Sequence, residues 1–541
     1  MTKEKKLTLP EAINASFAKF PARPSLGFVG EKSYTYQELQ QQVERLAAQL
    51  QAGGYDKNNK IAIFSSSMPN WGVSFFSIAF TGAVIVPILP DFSKNEVTNI
   101  LKHGEVDAIF VSEQLAAKVD REALPSLRVF AVESLQEITP EGKKEIANAS
   151  AADYRAVEIE EEDLASIIYT SGTTGTSKGV MLSHKNIVWT AYQCMNFQPI
   201  DETDRFLSIL PLSHTFENTL GMIYPLLHGS SVQYLSKAPS PQILLPALKE
   251  VKPTIMLSVP LVIEKIYKGQ ILKTIRSKAI TKALYKFRPT RILLSRIAGK
   301  KLYETFGGKL KFFGVGGAKL DDETERFLID AKFPLAIGYG LTETAPLLAG
   351  AVGKNVKFKS TGIALPGVDI RIANADPKTG EGEIQARGNN IMQGYYKAPE
   401  LTKEAFTEDG WFRTGDLGKF NRNTLYIKGR IKNMILGATG ENIYPEEIES
   451  LINRKDFVLE SLVLQQKGRL VAMVHLNLEE IEAMYAQLKE DMNGKVDELL
   501  ADIMQSINEE VSKFSRLQMV VLQPVPFEKT PTMKIKRFLY S

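Results

Sequence analysis

The sequence predicts an α/β layered fold of more than one domain, on three observations. Short apolar runs, Ile61 to Phe64, Val84 to Pro87 and Ala108 to Val111, have the length of buried strands and alternate with helical stretches, the order that builds parallel sheets. At 541 residues the chain is too long for one small core, so a large body and at least one further domain are expected. Around Ser166 to Gly179 an apolar run breaks into glycines and hydroxyls, the kind of strand end at which an open α/β sheet binds its ligand.

Composition narrows the class. With 44% hydrophobic and 24% charged residues the chain reads as an ordinary soluble protein, and a net charge of +4 gives no ground for a nucleic-acid partner. One cysteine, Cys194, excludes internal disulfides and a cysteine metal cluster, which fits a reducing compartment. Met1 to Leu9 has lysines with no apolar core behind them, so no signal peptide is expected and the cytoplasm is the expected location. Trp71 to Pro90 is apolar over about the length a membrane helix needs. Gly82, Pro87 and Pro90 interrupt it and Val84 to Val86 is β-branched, so it reads as a buried helix and then a buried strand.

In chain order, Leu9 to Phe20 is an amphipathic helix, Ser33 to Tyr36 a strand and Leu39 to Leu50 a helix. Residues 135–162 form a surface connection. Ile167 to Tyr169 is then a buried strand that opens into a loop, Thr170 to Gly179. Gly172 and Gly175 let backbone N–H groups approach an anion; Thr170, Ser171, Thr173 and Thr174 add hydroxyl donors, and Lys178 adds charge. The loop is built for phosphate. It is not G-x-x-x-x-G-K-[ST]: counted from Gly172, Ser177 stands where glycine belongs and Gly179 follows the lysine. Instead it closely resembles the signature of the adenylate-forming superfamily, which includes acyl-CoA synthetases, with Ser177 in place of the usual proline.

That resemblance extends along nearly the whole chain. Leu210 to His214 is similar to a second signature, which implies that His214 lines the acid pocket; Glu217 after it looks like the long-chain acyl branch. Gly316, Gly317 and Ala318 follow a strand end, where small residues let a flat ring lie on backbone, and in the family this turn packs on adenine. Tyr339, Gly340 and Thr342 belong to the next signature with Glu343, a carboxylate that can stand among phosphates only through a cation such as Mg²⁺, with Thr170 as a second ligand. Gly380 to Ala386 and Asn390 to Tyr395 read as a small β-rich subdomain. Asp416 is placed on the ribose hydroxyls, and Arg430 joins the nucleotide set. The family hinge falls at Lys432, which divides a body of residues 1–431 from a small mobile α+β lid of residues 432–541. Within the lid, Gly437 to Asn442 is a glycine loop for CoA, Glu479 to Phe514 is helical, and Lys534 is the lysine that reaches the active site, with Lys536 as a lesser alternative.

The expected activity is ATP-dependent conversion of a long-chain fatty acid to acyl-AMP, then transfer to CoA. A medium-chain or aryl acid, a carrier-protein acceptor and an inactive nucleotide- or lipid-binding protein are the alternatives. Cys194 lies outside every signature, so no covalent acyl-enzyme is expected. Residues 261–311 carry fourteen Lys and Arg against Glu264 and Glu304, interleaved with apolar residues such as Ile271, Leu284 and Phe287. They read either as a solvated helical pair or as a contact with CoA phosphate or the inner face of a membrane. The oligomeric state, a dimer included, stays open.

Overall fold

The computed structural model describes residues 6–138, 149–171, 177–437, 441–466, 468–485, 492–530 and 534–540. Two large sheets form the body. In the first the strand order is Gly394–Tyr395, Ser177–Ser183, Leu164–Ser171, Val84–Ile88, Lys60–Phe64, Ala108–Val111 and Arg128–Ala131. Ile61 stands opposite both Ile85 and Ala108 in parallel register. Every residue of Val84–Ile88 and Ala108–Val111 is buried, which is why these strands read as unbroken apolar runs. The second sheet has the order Leu26–Phe28, Ser231–Tyr234, Arg205–Ser208, Ile255–Ser258, Phe312–Val315, Leu335–Gly340, Leu347–Val352 and Ile363–Ala364. It is parallel from its first strand through Leu335–Gly340 and antiparallel after that.

The helix Pro69–Thr81 is buried at every position but Asn70 and ends at Gly82, with φ near 80°. The apolar stretch from Trp71 is therefore interior. Among the described residues no helix is long and apolar enough to cross a membrane.

Ser33 to Tyr36 is not a strand. The Thr35 hydroxyl accepts from Glu38 N while the Glu38 carboxylate accepts from Thr35 N, and this reciprocal cap starts the helix Tyr36–Ala52. The β-rich subdomain is a four-stranded antiparallel sheet, Val368–Ala373, Gly382–Gly388, Phe412–Asn421 and Thr424–Arg430. Gly394–Tyr395 does not belong to it: it pairs with Val180 and Met181 at the edge of the first body sheet.

Toward the C-terminus, Val458–Gln466, Arg469–Leu476 and Met519–Leu522 form a three-stranded sheet against the helices Pro445–Ile452 and Met492–Glu510. Their buried core runs from Ile443 to Leu517 and takes no buried member from earlier in the chain. The helical stretch expected from Glu479 to Phe514 is two helices, Leu478–Tyr485 and Met492–Glu510, and 486–491 lie outside the described residues.

The basic segment is helical up to Thr305 except for breaks at residues 277–278 and 286–287, and part of its charge is spent internally. Arg291 pairs with Asp330 at 2.8 Å and Lys311 with Asp204 at 2.8 Å. Arg276 reaches Glu323 at 3.5 Å and Asp456 at 3.1 Å, and Lys268 Nζ donates to the Asn453 carbonyl at 3.0 Å. Two of its cations thus tie the body to the C-terminal residues.

Candidate active site

The glycine-hydroxyl stretch is the tip of a hairpin in the first sheet. Leu164–Ser171 and Ser177–Ser183 run antiparallel with Thr170 opposite Lys178 and Ser171 opposite Ser177. The loop is therefore shorter than Thr170 to Gly179, because Ile167, Ile168, Val180 and Leu182 are buried and carry the ladder up to the hydroxyl residues. Gly172, Thr173, Thr174 and Gly175 lie outside the described residues. Lys178 Nζ stands 5.0 Å from the centre of the Tyr395 ring, and Tyr395 Oη donates to Glu343 Oε1 at 3.0 Å. Tyr395 thus joins the hairpin to the turn that carries Glu343.

That turn, Thr342–Thr344, follows the strand Leu335–Gly340. A Cβ on Gly340 would stand 1.6 Å from the Pro346 carbonyl oxygen, so only glycine lets the chain fold back here. Thr342 is buried beside Glu343, and Asn390 Nδ2 donates to the carbonyls of Thr344 and Leu347 at 3.2 and 2.8 Å.

Asp416 anchors the next cluster. Tyr339 Oη donates to its Oδ2 at 2.7 Å, Arg430 Nε pairs with its Oδ1 at 2.8 Å, and its own N–H donates to Thr414 Oγ1 at 3.1 Å. Burial pushes the Asp416 carboxyl above the usual carboxylate range against the pull of Arg430, Tyr339 and Lys534. Buried with its donors in place, this carboxylate is held rigidly.

Lys534 completes the group. It stands in a water-reachable cleft with its surface exposed and protein around it. Those surroundings and then the Arg430 guanidinium lower its pKa from the ordinary lysine value, while the Asp416 and Glu343 carboxylates act the other way. Its backbone is held by Thr530, whose N–H donates to the Lys534 carbonyl at 2.8 Å. Lys536 turns to Glu528 at 3.8 Å instead.

His214 caps a short helix, its Nδ1 accepting from Phe216 N at 3.2 Å. Burial, then Lys534, takes its pKa down to about 4, so the ring is neutral near pH 7. The Phe216 ring covers Gly316, where a Cβ would come within 3.1 Å of it. Gly317, with φ near 84°, and Ala318 are exposed at that strand end. Beyond Phe216 an apolar cavity of about 50 Å³ is lined by Leu220, Tyr224, Leu257, Val315, Gly338 and Leu347 among others. Cys194 also lines it, and burial raises its thiol to about 12, which leaves it an inert wall residue.

The structure thus gathers His214, Glu343, Asp416, Arg430 and Lys534 around one cleft, with Tyr339 one contact further out and Lys178 joined to it through Tyr395. Lys432 is apart from it, exposed on the turn Ile431–Asn433. Of the loop Gly437 to Asn442, residues 438–440 are outside the described residues, while Gly437 N donates to the Glu441 carbonyl at 2.8 Å and Asn442 begins a short strand. Tyr395 and Thr414 were missed by sequence reasoning. Thr414 lies within Trp411 to Asp416 and could have been named; Tyr395 carried no signal, because its role depends on pairing with residues over two hundred positions away.

The chain is similar to known proteins in both sequence and fold. A long-chain-fatty-acid–CoA ligase of Drosophila melanogaster is 30% identical over 83% of this chain and 73% of its own length. A long-chain-fatty-acid–CoA ligase of Mycobacterium bovis is 29% identical over 93% and 89%. The fold matches ATP-bound MatB from Rhodopseudomonas palustris with a TM-score of 0.77 at 23% identity, covering 98% of both chains. It also matches o-succinylbenzoate CoA synthetase from Bacillus subtilis in complex with its acyl-adenylate intermediate, TM-score 0.77 at 21% identity over 98% of both chains. The model of the AMP-binding enzyme family matches residues 13–396, and to that family this chain belongs.

Proposed function

We propose that this chain is an ATP-dependent long-chain fatty acyl-CoA synthetase, a ligase that forms a carbon–sulfur bond. The observation that carries the reading is the convergence of Lys534, Glu343, Asp416 and His214 beside an apolar cavity. The names of the relatives supply the acyl class, and the cavity lining suits an alkyl chain.

In the first half-reaction a carboxylate oxygen of the acid bonds to the α-phosphorus of ATP, and the bond from that phosphorus to the bridging oxygen breaks to release pyrophosphate. Bringing these anions together costs about 4 kcal/mol per unit charge pair at ~4 Å and an effective dielectric near 20. Lys534 offsets this by lying between carboxylate and α-phosphate, and Lys178 with the hydroxyls of Thr170 to Thr174 holds the departing phosphates. Asp416 takes the ribose hydroxyls, Arg430 steadies it, and the exposed Gly317, Ala318 and Gly340 leave room for the base. Neutral His214 lines the acid side without adding charge.

A magnesium ion fits the donor set. Among the described residues no group of three or more His, Cys, Asp or Glu could hold a metal alone, whereas Glu343 is a single carboxylate beside the hairpin, matching an ion that takes its remaining ligands from phosphate oxygens, water and the Thr170 hydroxyl. When bound it neutralises phosphate charge.

In the second half-reaction the thiol of CoA gives up its proton to solvent, its sulfur bonds to the acyl carbonyl carbon, and AMP leaves with the electron pair of the broken C–O bond. We assign residues 1–431 to the body and 432–541 to a lid that turns about Lys432, carrying Lys534 out and Gly437 to Asn442 in. The separate core of residues 443–517 and the exposed turn at Lys432 support this division. The enzyme meets its acid at the inner face of a membrane through residues 261–311, in a reducing compartment.

The test is ATP–pyrophosphate exchange with a panel of carboxylic acids, repeated as thioester formation with CoA. Palmitate-like acids support both; Lys534→Ala loses exchange and still converts preformed acyl adenylate. Equal loss of both half-reactions would refute the roles assigned. One relative, from Arabidopsis thaliana, is named a long-chain-fatty-acid–acyl-carrier-protein ligase and is 28% identical over 93% of this chain. Replacing CoA by a phosphopantetheinyl carrier in the same assay decides between the acceptors.

A further inference from the structure

From Lys265 to Tyr303 the sequence has twelve Lys and Arg and no Asp or Glu. Lys268, Arg276 and Arg291 are engaged elsewhere in the fold. Of the remainder, Lys278, Lys282, Lys286, Arg288, Arg296, Lys300 and Lys301 lie on or next to the helices Ala279–Tyr285 and Arg288–Thr305, where large apolar side chains stand in water: Ile280 is 75% exposed, Phe287 66%, Ile297 62% and Leu293 58%. Leaving four such side chains exposed within eighteen residues costs stability unless something covers them.

The helix Arg288–Thr305 joins this apolar face to a basic cleft. Residues three, four or seven apart lie along one side of a helix. Leu293 and Ile297 form one row, and Arg296, Lys300 and Tyr303 form the row beside it. The second row lines a cleft closed on its other side by Lys332 and Phe333 and lined by no acidic residue. Arg296, Lys300 and Lys332 make no ion pair among the described residues. Three cations round one cleft repel one another, so the cleft is complementary to an anion, one whose substituent extends toward the apolar row.

We propose that this face docks on an anionic phospholipid surface, with Ile280, Phe287, Leu293 and Ile297 entering the acyl boundary and the Arg296–Lys300–Lys332 cleft receiving a headgroup phosphodiester. Charge complementarity and the adjoining apolar row select the occupant: a nucleic acid would leave the apolar side chains uncovered, and a free phosphate would leave them in water. The purpose rests on the fatty acid reading, since a bilayer is where such an acid dissolves.

The test is flotation of the full chain with vesicles of phosphatidylcholine alone and of phosphatidylcholine with phosphatidylglycerol, at low and high salt. The chain floats with the anionic vesicles at low salt and is released by high salt. Each surface cation near such a membrane contributes roughly five-fold in partitioning, so R296Q/K300Q lowers it about thirty-fold. Phe287→Ser lowers it about ten-fold or more through lost apolar burial. Both variants keep wild-type rates on detergent-dispersed palmitate, because neither touches the cleft of Lys534. Inorganic phosphate at millimolar concentration does not displace the chain. Wild-type protein that stays in solution with anionic vesicles, equal flotation of wild type and R296Q/K300Q, or release by inorganic phosphate would overturn the proposal. Absence of acyl-AMP in detergent with vesicle binding intact would instead overturn the catalytic reading alone.

Discussion

Arg454→Ala isolates one of the contacts that hold the C-terminal unit against the body. Arg454 pairs with the buried carboxylate of Asp322 and lies 3.7 Å from Asp321, while Lys319 at 3.3 Å and Lys359 also serve Asp322. Because two cations remain, the loss is that of one charge-assisted hydrogen bond, about 1.5–3 kcal/mol, and not that of a buried charge left alone. The neighbouring Arg276–Asp456 pair, with Asp456 77% exposed, is screened by water and contributes at most ~1 kcal/mol. Arg454 therefore outweighs Arg276 in the docking. A loss of ~2 kcal/mol shifts the balance of docked to undocked forms about thirty-fold. If docking places Lys534 in the cleft, pyrophosphate exchange falls by up to that factor, while thioester formation from preformed acyl adenylate is unchanged or faster. Arg276→Ala lowers exchange no more than about five-fold. Parallel loss of both half-reactions in Arg454→Ala, with an unchanged melting temperature, would refute the reasoning.

Three further outcomes are expected. Tyr395→Phe removes the 3.0 Å bond to Glu343 and keeps the ring near Lys178, so the Mg²⁺ concentration needed for half-maximal exchange rises about ten-fold; an unchanged requirement would separate Tyr395 from the metal site. Burial pushes the Glu217 carboxyl up to about 8. The folded chain keeps this proton between the ordinary carboxylate value and about pH 8 while the unfolded chain releases it, so stability falls as pH rises through that window; Glu217→Gln is spared, its melting temperature dropping less between pH 5 and 8. Gly338→Leu adds a side chain to the cavity lining at a site where a Cβ meets only Leu347 Cδ1 at 3.4 Å, and so shifts preference in the exchange assay toward shorter acids.

The central strands were legible because burial on both faces removes any polar alternation, and the signatures were legible because ligand contacts fix residue type and spacing. Thr35 shows a local signal outvoted: Ser33 to Tyr36 alternates like a strand, but the Thr35–Glu38 cap is satisfied at once, before any sheet partner is found. What escaped depends on distant partners. Tyr395 is defined by Val180 across the ladder and by Glu343, and Arg454 by Asp322, 132 residues earlier. The basic segment could be counted but not apportioned, since only the fold decides that Arg291 meets Asp330 while Arg296 faces an open cleft.

Arg430 ends its strand opposite Asp416 and is bolted to it, and the exposed turn Ile431–Asn433 begins with the next residue. A crank needs a fixed bearing, and this bearing is the very carboxylate assigned to the sugar of the nucleotide. Filling that seat would stiffen the mount before the arm swings, so the sequence of arrivals, nucleotide ahead of thiol, would be enforced by mechanics as well as by affinity.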